Sequence, residues 1–156
     1  MITDALLRVS EDQALTTTAV STNTIDLDVA RDIGEGTPLY MNFAVTTALA
    51  GGTSVKFEVI TSPNANLSSP TVIGSSDAVL TAALVAGKNV VVRFNPLIAE
   101  KGQRYIGARY TIAGTYTAGK VTADIVETIG DGRKYYASGF TAVSYTHLRA
   151  HETDRY

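Results

Sequence analysis

Apolar residues in this 156-residue chain recur at every second position, in short runs broken by Gly, Pro, Asn and Ser. A side-chain period of two belongs to a strand with one face buried, and many short strands with regular turn signals belong to a sandwich or barrel. After Pro38, Leu39 to Val45 places Leu39, Met41, Phe43 and Val45 on one face. Ser54 to Ile60 turns Val55, Phe57 and Val59 inward and Lys56 and Glu58 outward. Asn89 to Phe94 groups Val90, Val92 and Phe94 opposite Arg93. Arg104 to Ile112 groups Ile106, Ala108, Tyr110 and Ile112 opposite Arg109. Lys120 to Val126 turns Val121, Ala123 and Ile125 inward and Thr122 and Asp124 outward. Shorter candidates are Leu15 to Val20, Asn23 to Leu27, and Thr71 to Ile73 after Pro70. That makes about eight antiparallel strands, so the expected fold is all-β, a single jelly-roll β-sandwich.

The punctuation agrees. Gly51-Gly52 separates two runs, Ala86-Gly87-Lys88 leads into another, and Ala118-Gly119-Lys120 reads as a hairpin loop between the last two. Pro63 to Pro70 is a polar connection. Ser76 to Val85 reads as a weak helix, with Asp77 near its start and Gly87 after its end, although Val79-Leu80-Thr81 also suits a strand. Neither a linker nor a repeat divides the chain, which predicts one domain over residues 1–142.

The stretch Val143 to Thr153 resembles the translated read-through of a transposase-type sequencing adapter, so residues 143–156 are set apart as a non-native tail. Both histidines, His147 and His151, fall in that tail. Their spacing of four would share a helix face, but the residues between them supply no carboxylate, and a zinc site is not expected.

Residues 1–142 therefore contain no His, Cys or Trp. Without imidazole or thiol there is no Ser-His-Asp or Cys-His arrangement, and the expectation is a protein that is not an enzyme and takes no metal or cofactor. The net charge of -2 gives no footprint for nucleic acid or an anionic membrane. No apolar run is long enough to span a bilayer, and Met1 to Leu7 lacks the basic start of a signal peptide.

Apparent motifs dissolve on inspection. Asp26, Asp28, Asp32 and Glu35 cluster, but without the ordered ligand loop of an EF-hand they read as a solvated strand end. Gly34-Glu35-Gly36 lacks the strand, helix and Lys-Ser/Thr pair of a phosphate loop. Glu58 and Asp124 occupy outward positions and read as surface charge, not as an acid–base pair. Lys101, Arg104, Arg109, Arg133 and Lys134 are too dispersed for nucleic acid and suit protein contacts.

Tyrosine is the conspicuous type. Tyr40, Tyr105, Tyr110, Tyr116, Tyr135 and Tyr136 all precede the tail. Tyr116 sits in a glycine-flanked loop, and Tyr135 and Tyr136 in a segment, Gly130 to Thr141, that does not continue the strand pattern. Tyr and Arg are common interface anchors. The candidate interface residues, chosen on location and residue type, are Tyr116, Arg133, Tyr135, Tyr136 and Phe140.

Four stretches carry a family resemblance. They are Ser10 to Ala14 continuing through Thr18 to Leu27; Arg31 to Leu39; Arg104-Tyr105 with Tyr110-Thr111 and Gly114 to Ala123; and Tyr136 to Thr141. Taken in order, the chain resembles the capsid cement (decoration) proteins of tailed phages, of the Bordetella-phage type. The resemblance implies a jelly-roll domain on the outer capsid surface of the virion, made in the bacterial host cytoplasm. It implies the major capsid protein as partner, self-association as a homodimer or a trimer, and stabilisation of the mature, DNA-filled head.

Two other classes compete. A carbohydrate-binding jelly roll of a virion or fibre protein would hold sugar on exposed aromatics, and the lack of Trp disfavours it. A metal-dependent jelly-roll enzyme would need histidine ligands that residues 1–142 do not contain.

Overall fold

The computed structural model describes residues 3–32, 37–95 and 103–129. Among the described residues nine strands run in chain order: β1 (Arg8–Ala14), β2 (Ala19–Val20), β3 (Ile25–Asp26), β4 (Leu39–Ala50), β5 (Ser54–Ser62), β6 (Thr71–Leu80), β7 (Asn89–Phe94), β8 (Tyr105–Ala113) and β9 (Ala118–Val126). One sheet has the order β1-β9-β4-β7 and the other β2-β8-β5-β6, with β3 also on β8. All pairings are antiparallel. Because β2 and β3 are two pieces of one broken strand, the count reduces to the eight of a jelly roll. The chain is a long hairpin rolled up: β1 meets β9, β2 and β3 meet β8, β4 meets β7, and β5 meets β6.

The alternating residues fill the space between the sheets. Met41, Phe43 and Val45 of one sheet, with Val121 and Ala123, face Val55, Phe57, Val59, Ile106, Ala108 and Tyr110 of the other. At the centre, Phe43 and Phe57 lie 5.0 Å apart, and Tyr110 stands edge-on to both at 5.9 and 6.0 Å. Edge-on geometry directs a positive ring edge at a negative ring face. The Tyr110 hydroxyl donates to Ser10 Oγ at 2.8 Å. Burial pushes this phenol well above its ordinary pKa, only partly offset by the Ser10 bond, so it stays a neutral donor.

Four local expectations need correction. The helix over Ser76 to Val85 is absent: those residues extend β6 to Leu80, and only Thr81–Ala83 forms a single 3-10 turn. Pairing with β5 from Thr71 to Leu80 and packing of Ile73 and Val79 on the core outweigh the weak helical signal. Leu15 is buried, but it follows a strand instead of starting one, since Arg8–Ala14 pairs with β9 and the next strand begins at Ala19. Ala118-Gly119-Lys120 is not a hairpin loop, because β8 and β9 belong to different sheets. Gly119 lies inside β9 at φ +139, where a Cβ would drive into Leu49.

The fourth correction concerns charge. Glu58 and Asp124 are 4 % and 3 % exposed, so they are buried and are not surface charges. Both point away from the main core but sit on interior strands, flanked on each side. Glu58 takes Arg109 Nε at 2.6 Å and Thr111 Oγ1 at 2.8 Å, with Lys56 Nζ at 3.3 Å. Asp124 takes Arg8 Nε at 2.8 Å. Nearby, Leu67 of the link after β5 folds back over Gly107, which stands opposite Ile60, and all three are buried.

Candidate functional site

Strand directions sort the links into two ends. The links after β1, β4, β6 and β8 gather at one end, here the capped end. The starts of β1, β4, β6 and β8, the ends of β3, β5, β7 and β9, and the link after β5 gather at the other, the entry end.

Tyr116 organises the capped end. It is 1 % exposed, and its hydroxyl lies 2.6 Å from Thr81 Oγ1. Thr81 Oγ1 donates in turn to the Gly52 carbonyl at 2.7 Å. The Tyr116 N–H reaches the Thr16 carbonyl at 2.9 Å, and the Thr117 N–H the Ala50 carbonyl at 2.8 Å. One residue thus ties all four links together. Gly52 is required there, since a Cβ would land on the Tyr116 ring. Sequence reasoning placed Tyr116 at a partner interface; the structure corrects this, because the buried ring has no surface to offer. Its glycine-flanked loop is a socket, not a display. The other four candidates, Arg133, Tyr135, Tyr136 and Phe140, lie outside the described residues, as do Lys101, Lys134, Gly34 to Gly36 and the tail 143–156.

The described residues of the entry end carry a cluster of charge. Arg104 grips Asp26 with two hydrogen bonds, Nε to Oδ1 at 2.5 Å and Nη2 to Oδ2 at 2.6 Å, and Asp28 lies 3.9 Å from the same guanidinium. The Arg104 guanidinium also stacks 5.1 Å over the Tyr105 ring. The Arg104 hydrogen bonds hold the Asp26 carboxyl below the usual carboxylate range. Asp26 and Asp28 are therefore committed to a cation of the chain itself, and the described residues contain no cluster of three or more metal-ligating side chains. Arg109, a second basic candidate, is likewise committed to Glu58. Burial pushes Glu58 up, but Arg109, Thr111 and Lys56 together outweigh it and leave the carboxyl below its ordinary value.

At the same end, but at the opposite sheet edge from this cluster, β6 and β7 part. Pro38, Ile73, Arg93, Phe94 and Asn95 line a cleft of about 290 Å³. Phe94 is buried, Ile73 and Pro38 are half-buried, and Arg93 is exposed. Sequence reasoning missed the cleft, since its residues come from three strand ends that only the roll brings together.

Among curated proteins, none matches the chain. The family model Bbp16 matches residues 9–125, from the start of β1 to the end of β9. That span is the jelly roll itself. The chain belongs to the Bbp16 family, a Bordetella phage protein family, and is a phage-type protein. Among the described residues, no helix is long and apolar enough to cross a membrane.

Proposed function

We propose that this protein is a capsid cement, or decoration, protein that binds the outer surface of the major capsid shell and stabilises the mature, DNA-filled head. The observation that carries the reading is the family match over residues 9–125, which makes the whole roll a phage module. The two ends support it. One is closed on itself, and the other presents charged groups and a cleft, as a domain does when it meets its partner by one end.

The mechanism is mass action. A ligand that binds only the assembled, expanded shell stabilises that shell by its binding free energy, about 2.7 kcal/mol per site when its free concentration is one hundred times Kd. Modest affinity per protomer suffices, because a homodimer engages two sites and the lattice repeats many times. Self-association belongs to this proposal, with the dimer as first choice and the trimer as second.

The test is co-sedimentation of the full chain with expanded heads and with unexpanded procapsids of a phage that encodes a Bbp16-family protein. Saturable binding to expanded heads is the expected result, together with DNA retention to higher temperature than in undecorated heads. Binding to neither particle, or DNA loss at the same temperature with and without the protein, overturns the proposal.

A further inference from the structure

Three of the arginines on or beside the strands already have a carboxylate. Arg8 holds Asp124 at 2.8 Å, Arg104 holds Asp26 at 2.5 Å, and Arg109 holds Glu58 at 2.6 Å. Arg93 on β7 has none among the described residues, yet it is exposed and forms one wall of the entry-end cleft. Arg31, in the link after β3, is the other described arginine without a carboxylate, but it does not line the cleft.

Two further walls of the cleft are preset. Ile73 and Phe94 are held by the main core. Between them Gly74 lets β6 press against β7, since a Cβ there would come within 2.7 Å of the Arg93 carbonyl and 3.0 Å of Phe94 Cβ. The volume of about 290 Å³ lies just below the range of about 300–1,000 Å³ typical of small-molecule sites. It suits an inserted side chain with its neighbour better than a cofactor. A guanidinium offers paired donors that match a carboxylate, and Pro38, Ile73 and Phe94 beside it offer an apolar seat for the stem that carries it.

We infer that this cleft receives an acidic side chain of the shell protein, its carboxylate on Arg93 and the adjoining stem against Pro38, Ile73 and Phe94. The chemistry favours a protein partner over a phosphate backbone. Among the described lining residues Arg93 is the one cation, in a chain of net charge -2, which makes a point contact and not a track. The inference rests on the capsid-binding reading and names the contact through which it would act.

Arg93→Glu and Arg93→Lys separate the two ideas. Wild-type protein and both variants, each checked for an unchanged thermal midpoint, are titrated onto expanded heads. Arg93→Glu is expected to lower affinity on the order of tenfold or more, and Arg93→Lys less. A water-soluble carbodiimide then joins the amine introduced by Arg93→Lys to any carboxylate in contact with it. Mass spectrometry is expected to find position 93 linked to an Asp or Glu of the shell protein. If wild type binds but Arg93→Glu binds as tightly, the cleft inference fails and cement function survives. A link from position 93 to a second copy of this chain also overturns it. If wild type does not bind heads, the capsid reading fails and the inference falls with it.

Discussion

The two ends of the sandwich spend their residues differently. At the capped end the links are 15–18, 51–53, 81–88 and 114–117, all of them among the described residues, whereas at the entry end only 63–70 is described throughout. The links of the capped end converge on one buried tyrosine. The entry end carries an exposed ion pair and a cleft. Links whose backbone groups are satisfied within the fold stabilise a roll, whereas binding residues concentrate on exposed positions held by a rigid scaffold. A tyrosine in a loop is therefore not evidence of a partner until its burial is known.

The largest test of the contrast is Tyr116→Ala. Removing a fully buried aromatic that ties four links is expected to cost about 3–5 kcal/mol in urea unfolding. A cost below about 1 kcal/mol, in the range of ordinary surface substitutions, would remove Tyr116 from its role as the fastener of that end.

Glu58→Gln comes next. It leaves Arg109 facing an uncharged partner on the half-covered outer face and is expected to cost about 1–3 kcal/mol at neutral pH. The sign with pH is definite. Glu58 has a folded pKa below its unfolded value of about 4.3, so its charge stabilises the fold above that value. The contribution is lost as pH falls through the lower, folded pKa. The gap between wild type and Glu58→Gln should therefore close in acid; a gap that stays constant down to strong acid would show that the charge plays no part.

Gly52→Ala probes the packing around the tyrosine. Its Cβ collides with the ring, and overpacking of this kind costs about 1–3 kcal/mol. In a Tyr116→Leu background the cost should shrink, because neighbouring substitutions couple. Additive costs would mean that Gly52 is needed for another reason.

The smallest effect belongs to the entry end. Asp26→Asn breaks an exposed pair with Arg104, and exposed pairs contribute about 0–1 kcal/mol. A loss as large as that of Tyr116→Ala would erase the distinction between the ends.

Much of the roll was legible along the chain. The alternation in Leu39 to Val45, Ser54 to Ile60 and Lys120 to Val126 named Met41, Phe43, Val55, Phe57, Val121 and Ala123 as inward, and they are buried. Three things were not legible. Residues Arg8–Ala14 lack alternation because β1 pairs with β9 through two register shifts, and Asp12 takes a φ of 43. Thr71–Leu80 carries Gly74 and two serines, weak strand formers, yet Ser76 Oγ accepts the Phe57 N–H at 3.0 Å where the register slips. Glu58 and Asp124 obey the alternation, and their outward direction is right, but direction does not set exposure.

What the sequence determined by itself was the period, the turns and so the all-β class, since these depend on residues near one another along the chain. Family membership was also carried by that linear order. Tertiary structure alone decided which outward charges are buried, that Tyr116 is a fastener, and that Arg93 meets Pro38 and Ile73 across a cleft. Each depends on partners far away in the chain: Asp124 is covered by Arg8, 116 residues distant, and Tyr116 is seated by Thr81 and Gly52. Local pattern fixes which way a side chain points, and only the closing of the roll fixes what lies there to meet it.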